Sequence, residues 1–215
     1  MKHNSIDNLK IIKSEVELIN KDTKIIAVSK TFPVETINPL IDFGHTHFGE
    51  NKVQEAISKW TVIKKDNDNI KLHMVGKLQS NKAKDAVKLF DYVHSLDNQK
   101  LADILSNFQN ENGKNLKYFI QVNIGNEMQK SGIPVKEVEA FYNYCTKEKG
   151  LNILGLMVLP PNDKNTKKYF KLLNELNNSL GLKELSMGMS SDYEDAILNN
   201  STYVRIGSSI FGSRS

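Results

Sequence analysis

From residue 24 to residue 207 the sequence alternates short, β-rich apolar runs with longer segments of helical periodicity. That alternation restricts the chain to an α/β architecture built on parallel strands. The runs are KIIAVSK (24–30), THFGE (46–50), KLHMVG (71–76), YVHSL (92–96), KYFIQVNI (117–124), NILGLMVL (152–159), ELSMGM (184–189) and TYVRIG (202–207). Several are unbroken apolar stretches rather than alternating ones, as expected where helices cover both faces of a parallel sheet. Helical segments fill the gaps. Val53, Ala56, Ile57 and Trp60 share one face, and Leu101, Ile104, Leu105 and Phe108 form one stripe. Gly44, Gly113 and Gly181 follow the ends of three segments, where a left-handed residue closes a helix. Pro134 opens and Gly150 closes another. Ser80 and either Ser190 or Ser191 are expected as N-caps. Before the first strand, Ile6, Leu9, Ile12, Val16 and Ile19 make an additional amphipathic helix.

Eight strands alternating with at least seven helices predict one (β/α)8 TIM-type barrel domain over residues 1–215, with residues 1–22 as an extra N-terminal helix packed on it. A doubly wound open sheet has the same alternation, and periodicity does not show closure. No Pro-, Gly- or Ser-rich linker divides the chain.

Composition removes several classes of function. A net charge of +4, with lysines scattered among acids, argues for neither a nucleic acid nor a membrane partner. The densest basic stretch, KLQSNKAK at 77–84, has no aromatic platform and reads as a solvated helix face. The lone cysteine, Cys145, excludes an intrachain disulfide and a CxxC metal cluster. No apolar run suits a signal peptide or a membrane span, so a cytoplasmic location is expected. His45 and His47 form an HxH pair, but a metal site needs further ligands, typically from later strands, and strands five to eight contain no histidine, so no metal site is expected.

In a barrel, functional groups collect at the C-terminal ends of strands. The first strand ends in Ser29-Lys30, placing an amine after a run that reads as buried. The last two end in Met189-Ser190-Ser191 and Arg205-Ile206-Gly207-Ser208-Ser209. Backbone N–H groups and hydroxyls at such turns make an anion site, often for phosphate. Gly207 allows close approach of the backbone. Arg205 lies between Val204 and Ile206 in a buried strand, which favours an inward task. In a closed barrel the last strand lies beside the first. A molecule carrying both an aldehyde and a phosphate would then bridge Lys30 and the two turns, and pyridoxal 5′-phosphate (PLP) is such a molecule. Arg205 could face its pyridine nitrogen and keep it unprotonated, because an arginine does not give up its own proton.

The ordered motifs AVSKT, HFGENKVQE, GKLQSNK, QVNIGNEMQKSG, LGLMVLP, LSMGMSSD and VRIGSSIFGSR, spanning about residues 24–214, resemble the YggS/PROSC family of PLP homeostasis proteins. The resemblance implies a single (β/α)8 barrel similar to the N-terminal domain of alanine racemase. It implies PLP as cofactor, Lys30 as its Schiff-base lysine, and Ser190, Arg205, Gly207 and Ser208 as phosphate and ring contacts. Asn51 and Met157 match positions that line the pocket. Many relatives read SKTKP where this chain has Phe32, so a basic residue at the pocket mouth is missing. LHMVG replaces the commoner WHFIG, and Ser208 replaces a threonine while keeping the hydroxyl.

Two functions follow. One is a non-catalytic carrier that holds PLP on Lys30 and releases or delivers it, with PLP-dependent enzymes lacking cofactor as recipients and the protein itself a monomer. The alternative is a racemase-like enzyme. Racemisation needs a base on each face of the reacting carbon. In alanine racemase the second base is a tyrosine held with the help of a C-terminal domain. This chain ends at Ser215, and no tyrosine falls at a strand end where it could serve. The carrier reading is the stronger.

Overall fold

The computed structural model describes residues 4–125, 127, 131–163 and 165–212. Eight parallel strands form the barrel wall: β1 (Lys24–Val28), β2 (His47–Glu50), β3 (Lys71–Met74), β4 (Tyr92–Leu96), β5 (Lys117–Asn123), β7 (Asn152–Met157), β8 (Glu184–Met189) and β9 (Tyr203–Ile206). Each pairs with the next, β4 pairs with β5, and β9 pairs with β1, so the sheet closes on itself and the open-sheet alternative is removed. A two-residue strand, β6 (Ile133–Pro134), adds to β5 outside this wall. The sequence carries no signal for a strand this short. Pro134, expected to open a helix, lies in it, and the following helix α6 (Val138–Asn143) starts after a 3₁₀ turn and ends in a π-helical turn.

Six of the eight wall strands start as expected, β2 and β9 start one residue later, and five of the eight stop one or two residues earlier than expected. Helices α2 (Val34–Asp42), α3 (Val53–Asp66), α4 (Ala83–Leu89), α5 (Gln99–Glu111), α7 (Thr166–Ser179), α8 (Tyr193–Leu198) and the single-turn α9 (Ser208–Phe211) follow strands and cover the outside. The N-terminal helix α1 (Ser5–Ile19) buries Leu9, Ile12 and Val16 and packs on α2, α8 and α9, with Asn8 donating to the Ile210 carbonyl at 2.9 Å. Ile19, expected on its apolar face, lies partly in solvent at the helix end, as does Ile57 on α3. Two expected caps are also different. Ser80 lies inside a 3₁₀ turn before α4, and α8 begins only at Tyr193, after Asp192, whose carboxylate accepts from the Met189 N–H at 2.6 Å.

The period-two pleat divides the wall residues into two cores. Ile25, Ala27, Phe48, Leu72, Val204 and Ile206 face the helices. Ile26, Val28, Tyr92, Phe119, Met157 and Tyr203 fill the barrel interior. Gly155 lies at a bulge of β7 against β5, where a Cβ would sit 1.6 Å from the Glu184 carbonyl oxygen of β8. That backbone cannot move aside without opening the β7–β8 ladder. Gly155→Ala is therefore expected to cost about 3 kcal/mol or more, lowering the thermal midpoint by roughly 6–12 °C. A midpoint equal to wild type would contradict the packing described.

Candidate functional site

The inward parity of β1, β2 and β9 leads to the C-terminal mouth of the barrel: Lys30 follows Val28 by two residues, Asn51 follows Gly49, and Arg205 follows Tyr203. Ser190 arrives there differently, after a register shift of β8 against β9 between Ser186 and Met189, where the Gly188 backbone has φ = +92°. These residues, with Ser208, line one cavity of about 450 Å³ at the C-terminal mouth of the barrel, a volume in the usual range for a small-molecule site. Val28, Val75 and Leu159 supply apolar walls. The cavity therefore gathers five of the seven residues singled out from sequence. Met157 is fully buried in the interior core, and Gly207 stands behind Ser208. Gly207 matters through proximity: a Cβ there would lie 3.2 Å from the Val28 carbonyl oxygen, so the ends of β9 and β1 meet closely. The turn after β5 lies partly outside the described residues, at Asn126 and Met128–Lys130, as do Ser213 and Arg214 of the last motif.

On one side of the cavity, Ser190 Oγ and Ser208 Oγ stand 3.2 Å apart, and the Ser209 N–H points at Ser190 Oγ from 3.5 Å. Because Asp192 precedes α8, neither Ser190 nor Ser191 caps that helix, and Ser190 faces the cavity instead. The Asn51 Oδ1 is buried and accepts no hydrogen bond. A buried polar atom without a partner is costly, and here it borders a space that a ligand can fill.

Arg205 is 5% exposed. One terminal nitrogen donates to the Ser186 carbonyl and to Ser186 Oγ, each at 2.7 Å, and the other donates to the Val158 carbonyl at 2.8 Å. Burial lowers its pKa to about 10, opposed by the Asp192 charge, so it remains a cation at neutral pH. Behind it runs a chain of buried groups across the barrel. Ser186 Oγ meets His94 Nδ1 at 2.8 Å, His94 Nε2 meets His73 Nδ1 at 2.9 Å, and His73 Nε2 meets His47 Nδ1 at 2.9 Å. Arginine only donates. Ser186 therefore accepts from Arg205 and gives its own proton to His94, and each imidazole in turn donates through Nε2. Burial holds His73 and His94 well below 6.5, with the Arg205 charge adding to the effect on His94. Burial also lowers His45 and His47 to about 4. The HxH pair is thus divided between two tasks: His45 Nε2 bonds the His47 carbonyl, and His47 ends the interior chain.

A second group surrounds the Lys30 turn. Glu50 is fully buried on the outward face of β2, and its Oε1 receives Ser29 Oγ at 2.7 Å, Trp60 Nε1 at 3.0 Å and Lys59 Nζ at 2.6 Å. Sequence reading missed Glu50, Lys59, Ser186 and His94. The available signal was a polar residue within an apolar strand, as in YVHSL and ELSMGM, and a glutamate at the helix-facing position of HFGE.

The sequence profile of the alanine racemase N-terminal domain family matches residues 4–215. A pyridoxal phosphate homeostasis protein of Aquifex aeolicus is 36% identical over 200 residues, covering 89% of this chain and 87% of the relative. One from Haemophilus influenzae is 35% identical over 224 residues, covering 96% and 94%. PipY of Synechococcus elongatus, solved with PLP bound, superposes with a TM-score of 0.88 at 33% identity, covering 97% of this chain and 100% of that one. With a closed parallel barrel, a cavity at its C-terminal mouth and these likenesses over nearly the whole length, the chain belongs to the pyridoxal phosphate homeostasis protein family, within the alanine racemase N-terminal domain class.

Proposed function

We propose that this protein binds PLP in the cavity at the C-terminal mouth of the barrel and serves PLP homeostasis by holding the cofactor and then releasing or delivering it. The observation that carries this reading is the placement of Lys30 and the Ser190–Ser208 hydroxyls on one cavity of about 450 Å³. When bound, PLP supplies an aldehyde that condenses with a primary amine, a phosphate dianion and a pyridine ring.

The donor set suits those groups. Lys30 offers the amine. Ser190, Ser208 and the Ser209 N–H offer three donors to the phosphate, and Gly207 lets that turn lie close to β1. Arg205 presents a fixed cation toward the ring, while the Asn51 Oδ1 offers an unused acceptor at the wall. Met157 supports the cavity from below. Because its proton is practically permanent, Arg205 disfavours protonation of a facing pyridine nitrogen and so weakens the ring as an electron sink.

That weak sink favours a carrier over an enzyme. Lys30 and Arg205 are the ionisable side chains among the described residues that line the cavity. A racemase needs a second proton-transferring base, and a guanidinium is a poor one. The partners we propose are PLP and PLP-dependent enzymes that lack it, with the protein acting as a cytoplasmic monomer. Among the described residues, no helix is long and apolar enough to cross a membrane.

The test is an absorption spectrum of the protein mixed with PLP, then borohydride reduction and peptide mapping. The expected result is a visible band on mixing and the mass of reduced cofactor on Lys30. A label on another lysine refutes the assignment. In parallel, D- or L-alanine incubated with the loaded protein is expected to keep its chirality, and turnover that vanishes in Lys30→Ala would make the protein an enzyme.

A further inference from the structure

Lys30 lies in a turn whose shape is unusual. Thr31 has φ = +69°, a left-handed conformation at a β-branched residue, and such a residue stays there only when its surroundings impose it. The surroundings are three charged side chains. Lys59 Nζ donates to the Ser29 carbonyl at 2.9 Å and to the Phe32 carbonyl at 3.3 Å, so one ammonium grips both ends of the four-residue turn. Glu55 accepts the Thr31 N–H and also receives Lys59 at 2.9 Å. Glu50 receives Lys59 at 2.6 Å and Ser29 Oγ at 2.7 Å. The bonds from Lys59, Glu55 and Glu50 reach the turn from the helix-facing side, while Lys30 itself lines the cavity on the other. Burial alone would raise Glu55, but the Lys59 bond and the Thr31 N–H outweigh it and leave its pKa lowered.

Buried ion pairs are poor general stabilisers, because desolvation offsets most of their attraction. A role in specifying geometry accounts better for a lysine, 9% exposed, that is shared between two carboxylates and two turn carbonyls. We infer that Lys59, Glu50 and Glu55 are positioning residues that hold the 29–32 turn in its left-handed form and thereby present the Lys30 amine to the cavity. This rests on the reading of Lys30 as the residue that captures PLP.

The experiment compares wild type with Lys59→Met, Glu55→Leu and Glu55→Gln by three readouts. The first is amide hydrogen exchange at Thr31 in protein without PLP. The second is the rate at which PLP plus borohydride labels Lys30. The third is noncovalent PLP affinity, measured with each change combined with Lys30→Ala. Losing a hydrogen bond to a charged group corresponds to about a tenfold effect. Lys59→Met and Glu55→Leu are therefore expected to speed Thr31 exchange and slow Lys30 labelling by about that factor. Noncovalent affinity should stay at the Lys30→Ala value. Glu55→Gln keeps the acceptor and should restore labelling. Glu55 is partly exposed and at the surface, so its pair of variants decides the matter if Lys59→Met fails to fold. Labelling at the wild-type rate in Glu55→Leu overturns the inference, as does a parallel loss of labelling and noncovalent affinity. If wild type carries the label elsewhere than Lys30, the proposed function fails, while Thr31 exchange still reports whether Glu55 and Lys59 hold the turn.

Discussion

Lys30→Ala is expected to abolish covalent attachment of PLP completely while leaving a noncovalent site. The capture proposed above would be a condensation in which the Lys30 nitrogen would bond to the aldehyde carbon with loss of one water. Borohydride then adds hydride to that carbon, and a proton reaches the nitrogen. Without the Lys30 amine, no other described side chain lining the cavity offers a primary amine. Lys59 does not substitute, since its ammonium is held by the Ser29 and Phe32 carbonyls, Glu50 and Glu55 on the far side of the turn. The Ser190 and Ser208 hydroxyls, the Ser209 N–H and Arg205 are untouched by the change. The variant should therefore retain PLP through equilibrium dialysis, more weakly than wild type, and lose it on desalting. Mass spectrometry after borohydride should show the unmodified chain. A full equivalent of label on the variant would place the reactive amine elsewhere, and complete loss of noncovalent binding would remove the anion-holding role from the Ser190–Ser208 cluster.

Acid is expected to unfold the protein over an unusually high pH window. Burial lowers His45 and His47 from 6.5 to about 4, and lowers His73 and His94 as well. In the unfolded chain these histidines take up protons near pH 6.5, whereas the folded protein refuses them until much lower. Between those values the unfolded state binds more protons, so stability rises with pH and is lost on acidification. Each histidine contributes about 1.4 kcal/mol for each pH unit inside its window. Two of the four would thus remove on the order of 5 kcal/mol between pH 6.5 and 4.5, comparable with the whole stability of many domains.

A structural reason supports the sign. Protonating His47 at Nδ1 sets two donors against each other along the His73 bond, and the fixed Arg205 charge at the other end blocks relief by passing the proton inward. Glu50, raised by burial despite its bonds to Lys59, Trp60 and Ser29, works in the opposite direction above its ordinary range and tempers the loss. Urea midpoints measured from pH 7.5 to 4.5 should fall steadily below about 6.5, before ordinary carboxylates titrate. A flat profile down to pH 5 would show that the interior histidines are not held neutral by the fold.

Much of the site was legible because a strand's side chains alternate. Once KIIAVSK is read as a strand, Lys30 must share the side of Ile26 and Val28, and Arg205 must share that of Tyr203. The polar turns after the last two strands were legible from their residue types and positions alone. The expected serine cap of α8 shows the limit of this kind of reading. Ser190, Ser191 and Asp192 are all good caps by type; Asp192 takes the position before α8 but turns its carboxylate to the Met189 N–H, and Ser190 is left for the cavity.

The interior chain and the Lys30 turn lay beyond it. Ser186 and His94 touch across the barrel although 92 residues apart, and a polar residue within an apolar strand, the local signal each carries, does not name its partner. Glu50 and Lys59 come together because β2 delivers one and α3 the other, at a distance set by how that helix docks. Short-range periodicity and residue chemistry, both properties of neighbours along the chain, determined from sequence the strand–helix alternation, the inward parity of Lys30 and Arg205 and the polar turns after the last two strands. Closure of the sheet, the shared cavity, the neutral histidine chain and the grip on Thr31 are relations between distant residues, and only packing in three dimensions decided them.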